Sequence, residues 1–336
     1  MLSYNRSIDS SALRQPVGVQ EVLSARVRLG RNLSGIRFSH KMDDHDRLEL
    51  RRRVETAFSA LHADFIVLDA ETMEPAERAF YQYRGLLGAA TRLTVLQNDG
   101  LGFVRIPDDD HLGLYATCAG LDLSRAHQTA AALDAELEHQ LSYAVSLRLG
   151  YLGPNVLGVG SAVTAAVMLH LPALQLEQGT PVIPIGDDLR LKAAGPEGAA
   201  MYVLEIANRN RGDHEGLIQA LGEQAEALVD YERDARQRVI AERRGELEDA
   251  TYRALGTLRH ARRLSIVEAY NALGLLRFGM IGGLLPGDGL DRVTELLFSV
   301  HESQVQILVA ETDIDQARAK LVREALHVVK GVEGDV

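Results

Sequence analysis

One ten-residue stretch, Leu23-Ser24-Ala25-Arg26-Val27-Arg28-Leu29-Gly30-Arg31-Asn32, constrains this chain more than any other. Its Val and Leu residues suit a strand. Side chains of a strand alternate between faces, so Arg26 and Arg28 would point the same way. Two guanidiniums side by side on a rigid element offer a fork of donors to a polyphosphate and keep their charge at any working pH. Spacing alone leaves a plainer alternative open, a basic strand face in solvent.

Composition narrows the partners. The chain has 336 residues, enough for one large domain or two ordinary ones. Lys and Arg total 36 against 47 Asp and Glu, a formal net charge of −11, which argues against nucleic acid or an anionic membrane as a bulk partner. A local basic pocket stays compatible with that balance. Aromatic content of 5% with no Trp argues against a single-strand binder built on base stacking. The single cysteine, Cys118, excludes an internal disulfide and fits a reducing cytosol, so a cytoplasmic location is expected. The opening MLSYNRSIDSS has no apolar core of a signal peptide, and no apolar run reaches membrane-span length. The histidines show no zinc-binding spacing, and no metal site is expected. Gly158-Val159-Gly160-Ser161 lacks the Gly-Lys-Ser/Thr that completes a P-loop. Asp108-Asp109-Asp110 reads as solvated loop acids, with a Mg²⁺ contact as the alternative.

Residues 1–20 are polar and weakly patterned and are expected to form a flexible lead-in. Residues 43–62 read as a helix, with Leu48, Val54, Phe58 and Leu61 at helical spacing. Asn98-Asp99-Gly100 between two β-rich runs, Thr91–Gln97 and Gly102–Ile106, predicts a hairpin. Leu121–Leu147 reads as one long helix from Leu133, Leu137, Leu141 and Val145. Met201–Ala207 reads as a strand and Leu217–Arg238 as a helix. Beyond about residue 240 every segment that can be read is helical: Gly245–Leu255, Leu264–Leu275, Gly289–His301 and Thr312–Val329.

Four ordered blocks carry a resemblance. Ser24-x-Arg26-x-Arg28-x-Gly30-Arg31 resembles the S-x-R-x-R-x-G-R segment of the phosphagen kinases, the ATP:guanidino phosphotransferases. Leu149-Gly150-Tyr151-Leu152 with Val167-Met168-Leu169-His170-Leu171-Pro172-Ala173-Leu174 resembles the family's LG(F/Y)L…VM(L/V)HLPAL. Glu205-Ile206-Ala207-Asn208 followed by Gly212 is similar to (Q/D)-I-S-N…G. Gly256-Thr257-Leu258 through Leu276-Arg277-Phe278-Gly279 resembles a segment of the bacterial protein-arginine kinases, the branch that continues into a helical module. Ordered blocks are far more specific than any one motif.

The resemblance implies an α+β fold: an antiparallel sheet flanked by helices over residues 21–240, binding nucleotide, then an all-helical dimerisation or regulatory domain over 241–336. It implies ATP or ADP with Mg²⁺ as ligand. Arg26 and Arg28 match two of five phosphate-binding arginines. Arg105 matches the arginine of N-E-E-D-H-L-R-I when that motif is laid on the chain without gaps, and Arg190 matches that of R-G-x-x-G-E. The fifth falls on Thr164. The groups that would handle the guanidinium fare worse. The catalytic glutamate falls on Leu101, the reactive cysteine on Asn155 and the lid glutamate on Gly195, with Glu197 two residues on. Asp99 is the remaining catalytic candidate, in a setting that suits a turn. The R-D-x-x-R-A motif of a phosphoarginine-sensing pocket becomes Thr312-Asp313-Ile314-Asp315-Gln316-Ala317.

Retained arginines beside lost acids imply a nucleotide-binding homologue with impaired phosphotransfer, acting in regulation or scaffolding beside a protein partner or an active kinase paralogue. One alternative is an active guanidino kinase using a displaced carboxylate. The other is a structural dimer that binds no nucleotide. A homodimer is expected because Leu273, Leu276, Phe278, Met280, Leu284, Leu285, Leu296 and Leu297 exceed what so small a module readily buries alone.

Overall fold

Ala25 and Val27 are 0% exposed and Leu29 is 3% exposed, while Arg26 and Arg28 point to the other side. That alternation makes the arginine stretch β1 (Val22–Arg31), the fifth strand of an eight-stranded antiparallel sheet. The computed structural model describes residues 18, 20–61, 64–154, 159–181, 185–196, 198–206, 214–309 and 311–327. Most of the expected lead-in, and Asn155, Glu197, Asn208 and Gly212, lie outside the described residues.

After β1 the chain forms α1 (Asp44–Ala60), β2 (Phe65–Asp69), α2 (Pro75–Tyr83), β3 (Leu93–Gln97), β4 (Gly102–Ile106), β5 (Leu112–Ala119) and α3 (Leu123–Glu138). A small hairpin, β6 (Val145–Ser146) and β7 (Gly150–Tyr151), precedes β8 (Val163–His170), α4 (Pro172–Gln178), β9 (Leu189–Ala193) and β10 (Met201–Ile206). The sheet order is β2-β3-β4-β5-β1-β8-β10-β9. α1 begins in a reciprocal capping box between Asp43 and Asp46, which satisfies backbone donors at its first turn. Gly100, at φ +70°, makes the turn of the expected β3–β4 hairpin, and Asp99 accepts from Leu101 N at 2.9 Å.

The face of Ala25, Val27 and Leu29 forms the main core with α3 and the first part of the long helix α5 (His214–His260). Then come α6 (Ile266–Ile281), α7 (Leu290–Ser299), α8 (Glu302–Leu308) and α9 (Ile314–His327), a helical module with its own core. That core also takes in Leu23, Ala199 and Met201 from the sheet region. The expected fold class is therefore present, antiparallel sheet with helices and then helices alone.

Three expectations need correction. The helix over Leu121–Leu147 ends at Glu138, because the following segment pairs beside β1 instead: Ala144 N donates to Asn32 O at 2.7 Å and Ser34 N to Ser142 O at 2.9 Å. The separate helices over Leu217–Arg238 and Gly245–Leu255 are one element, α5, kinked at Arg243 (φ −130°, ψ 27°). The eight apolar residues offered as surplus surface are all buried within the chain, none more than 6% exposed, so they supply no reason for a second copy.

Candidate functional site

The second face of the sheet holds the chemistry. Register places Arg26 opposite Thr117 of β5 and Ala166 of β8, and Arg28 opposite Tyr115 and Thr164. Tyr115 stands opposite Phe103, and Arg105 opposite Gly113. Paired residues of an antiparallel ladder share a face, so Arg26, Arg28 and Arg105 lie together there. Arg190 shares the face through Ala166 and Glu205, but it is exposed on the edge strand β9, three strands from β1. At roughly 4.8 Å per strand its backbone sits about 14 Å from that of Arg26.

The three central arginines differ in their partners. Arg28 Nε donates to Asp108 Oδ2 at 2.8 Å and to Tyr115 Oη at 3.1 Å, and its Nη2 donates to Asp110 Oδ2 at 2.9 Å. Burial works against its charge, yet Tyr115, Asp108 and Asp110 together hold it above the ordinary arginine range. Arg105 lies 4.2 Å from the centre of the Tyr115 ring, donates to Gly85 O at 2.6 Å and reaches Asp108 Oδ1 at 3.5 Å. Its Nε is buried without a hydrogen-bond partner among the described residues. Arg26 Nε donates to Thr117 Oγ1 at 3.1 Å, and no described carboxylate pairs with it. Burial first and Arg105 second push its guanidinium down to about 10. Gly85, at φ +69°, passes so close above Arg26 that an added Cβ would meet Nη1 at 2.9 Å.

Asp108 and Asp110 are thus buried counter-ions, and the expectation of solvated loop acids is overturned. The β4–β5 turn tucks them beneath the arginines, where an unpaired carboxylate would be costly and a paired one is not. Burial raises the Asp108 carboxyl, but Arg28 and Arg105 outweigh that and leave it below its usual value. Asn32 Nδ2 donates to Asp110 Oδ1 at 2.7 Å, and His111 N donates to Asn32 Oδ1 at 3.0 Å, which fixes the turn. Asp109 between them is exposed.

Arg26 also lines a cavity of about 550 Å³ between the sheet and the helical module. Tyr83 and Gly85 wall it on one side, Tyr270, Phe298 and His301 on another, and Gly195 (φ +135°) reaches it from the segment after β9. Tyr83 stacks on His301 at 3.9 Å between centroids and shares a 2.8 Å hydroxyl–hydroxyl hydrogen bond with Tyr270. Arg84 Nε donates to Gln304 Oε1 at 2.7 Å beside them. Arg28, Arg105 and Arg190 do not line this cavity. Tyr115 and the module's aromatic residues escaped the sequence reading. Alternation around Arg28 would have found Tyr115 had β5 been read as a strand, but nothing in the sequence alone brings residue 270 to residue 83.

The remaining candidates separate. Thr164 faces the site directly opposite Arg28. Leu101 is half-buried, and its carbonyl accepts from Thr117 N at 3.0 Å. Asp99 is exposed in its turn. Among the described residues no group of three or more His, Cys, Asp or Glu side chains could hold a metal ion, so Mg²⁺ is treated as part of a nucleotide substrate.

A row of guanidiniums on a sheet face, one without a counter-ion among the described residues, is an arrangement that offers donors to an anion, and comparison with known proteins gives the fold its family. The family model described as ATP:guanido phosphotransferase, C-terminal catalytic domain, matches residues 49–235, and that of the protein-arginine kinase McsB C-terminal domain matches 244–334. The chain belongs to the ATP:guanido phosphotransferase family, in its bacterial protein-arginine kinase branch. It is 31% identical over 329 residues to a protein-arginine kinase of Exiguobacterium sp. strain AT1b, covering 91% of this chain and 92% of that one. It is 28% identical over 329 residues to the protein-arginine kinase of Bacillus subtilis strain 168, covering 91% and 90%. Among solved structures, a lombricine kinase superposes with a TM-score of 0.53 at 18% identity over 69% of this chain and 72% of that one. The duplicated taurocyamine kinase of Schistosoma mansoni superposes with a TM-score of 0.54 at 18% identity over 63% and 33%. These two show the fold alone. No helix among the described residues is long and apolar enough to cross a membrane.

Proposed function

We propose that this ATP:guanido phosphotransferase homologue binds ATP or ADP with its Mg²⁺ on the arginine face and transfers phosphate poorly, serving in regulation or scaffolding. The observation that carries the nucleotide reading is Arg26, a cation at the floor of a cavity with no described carboxylate against it. Three guanidiniums (Arg26, Arg28, Arg105) face two buried carboxylates (Asp108, Asp110), which leaves one net positive charge and an unsatisfied Arg105 Nε for a phosphate. In the family reading Arg26, Arg28 and Arg105 would cradle the phosphates, and Arg190 would have to approach from β9.

Weak transfer is supported by Thr164 opposite Arg28, where an arginine is expected, and by Gly195 in place of the lid glutamate. Phosphoryl transfer depends on positioned cations around the migrating group. Asp108 and Asp110 are already engaged by Arg28, so neither is free to orient a guanidinium.

One observation favours the active alternative. Pro107-Asp108-Asp109-Asp110-His111-Leu112-Gly113-Leu114 follows the order of N-E-E-D-H-L-R-I better than the ungapped placement on residues 99–106 does. On that reading Gly113 takes the arginine's place, and Arg105, directly opposite it, supplies the guanidinium from the neighbouring strand. Asp109, exposed and without a described ion pair, becomes the displaced carboxylate.

The test has two arms. MgATP or MgADP should raise the melting temperature, and Arg26→Ala should remove the shift. No shift at millimolar nucleotide would favour the structural-dimer reading. Phosphorus NMR after long incubation with MgATP and an arginine-rich protein should show no phosphoarginine. Phosphoarginine that disappears in Asp109→Asn would establish the active alternative.

A further inference from the structure

Gln304 belongs to α8 in the helical module, is 0% exposed and directs both ends of its side chain at α2 in the sheet region. Its Nε2 donates to Phe80 O at 3.0 Å, and its Oε1 accepts from Arg84 Nε at 2.7 Å. A buried amide is costly unless its donor and acceptor are both met. Among the described residues the last turn of α2 is what meets them.

The way α2 ends gives that contact a consequence. Gly85 N donates to Gln82 O at 2.9 Å and Leu86 N to Tyr81 O at 3.0 Å. These are the paired bonds of a helix that closes on a left-handed residue, here Gly85 at φ +69°. The turn is therefore tied to the helix and moves with it. It lays the Gly85 backbone against two guanidiniums of the arginine face. The Gly85 carbonyl accepts from Arg105 Nη2 at 2.6 Å, and its Cα passes close over Arg26. Two polar contacts hold this end of α2 from opposite sides. Thr94 Oγ1 donates to Leu86 O at 2.7 Å from the sheet, and Gln304 holds the preceding turn from the module.

We propose that Gln304 is a positioning residue of the arginine face: from the helical module it sets where Gly85 lies, and so holds Arg26 and Arg105 where the phosphates of a nucleotide would meet them. Gln304 does not line the cavity over Arg26, so it acts through α2. Guanidiniums already held in place spare the ligand the cost of ordering them. The proposal rests on the nucleotide reading for its ligand and on the end of α2 for its mechanism.

Two substitutions at neighbouring positions test it in the full-length chain. Gln304→Met keeps the length of the side chain and removes both hydrogen bonds. Val305→Ala is the control: Val305 is 0% exposed and packs with Val309 and Ala317, so its loss weakens the module away from α2. Calorimetric titration with MgADP is done at a temperature where circular dichroism shows every variant folded. Affinity should fall by about threefold to tenfold in Gln304→Met and hold steady in Val305→Ala. Without nucleotide, amide exchange at Gly85 and Leu86 should quicken in Gln304→Met and not in Val305→Ala. Gln304→Glu keeps the acceptor for Arg84 and gives a second reading should the Met variant fold poorly, with a smaller loss expected. Unchanged affinity or unchanged exchange in both Gln304 variants, or an equal loss in Val305→Ala, would overturn the proposal and leave the nucleotide reading standing. MgADP that fails to bind the unmutated chain at millimolar concentration would overturn both.

Discussion

Arg26 and Arg28 sit two residues apart on one strand, face the same way and live in opposite electrostatic settings. Arg28 is held between Asp108 and Asp110 with Tyr115 against it, and its charge is reinforced. Arg26 has a threonine hydroxyl, a glycine backbone and an open cavity, and burial weakens its hold on its proton. The strand dictates direction, and its neighbours dictate what the direction means. β5 and the turn before it surround Arg28, whereas α2 and the helical module leave a space over Arg26. One arginine is therefore part of the architecture, and the other is available to a ligand.

The largest expected effect comes from deleting each arginine in turn. Arg28→Ala leaves the buried Asp110 without an ion pair among the described residues and Asp108 with only the longer contact to Arg105 at 3.5 Å, and should cost about 3–5 kcal/mol of stability. Arg26→Ala removes an uncompensated buried cation and one hydrogen bond, and should change stability by no more than about 1 kcal/mol. Urea unfolding of the two variants without nucleotide measures both. Equal losses would erase the distinction.

How much of this was legible follows the same division. The common direction of Arg26 and Arg28 could be read from alternation, because Val27 and Leu29 announce the buried face. The hairpin at Asn98-Asp99-Gly100 could be read because its turn chemistry is local. The fate of Asp108 and Asp110 could not. Whether an acid in a loop is solvated depends on a strand some eighty residues earlier in the chain. β5 itself was hidden, since Gly113 interrupts its pattern and Tyr115 points to the polar face. The cavity over Arg26 depends on Tyr270, Phe298 and His301 meeting Tyr83 and Gly85, contacts fixed by how the module packs on the sheet. The dimer expectation failed in its reasoning for a related cause: the sheet region supplies Leu23 and Met201 to the module's core.

A smaller effect should follow from loosening the Arg28 end. Asp108→Asn keeps the shape of the side chain but removes the charge that Arg28 and Arg105 share. Stability should fall by about 1–3 kcal/mol. Affinity for ADP should rise by about threefold to tenfold, because two more guanidiniums become electrostatically available. Calorimetric titration measures the affinity. An unchanged or weaker affinity would mean that Asp108 does not compete with nucleotide.

Acid and alkali should then address the two ends separately. The Asp108 carboxyl lies below its usual 3.8 in the fold, so its contribution is present above about pH 4 and is lost as pH falls through the lower folded value. The acid limb of the stability curve should therefore be shallower in Asp108→Asn. Arg26 is pushed down to about 10 in the fold, well below the ordinary arginine range, by burial first and Arg105 second. Above about pH 10 the native chain releases a proton that the unfolded chain keeps, so stability rises with pH there. The anion site loses its cation over the same range. The nucleotide-induced rise in melting temperature should accordingly shrink between pH 8 and 10.5. Pairing of Arg28 with Asp110 should persist across that window, since Arg28 is held above the ordinary range.

The smallest effect belongs to Asp99. It is exposed, its carboxylate accepts from Leu101 N at 2.9 Å, and the turn it completes has Gly100 to take the positive φ. Asn retains an acceptor at that position and is equally at home in such a turn. Asp99→Asn should shift stability by no more than about 0.5 kcal/mol and leave nucleotide binding untouched, because the side chain serves its own turn and touches neither Arg26 nor Arg28. Thermal melts with and without MgADP check both statements. A lost nucleotide shift in this variant would place the turn over the cavity. The contrast between the two arginines would then have to include a carboxylate that the fold directs away from both.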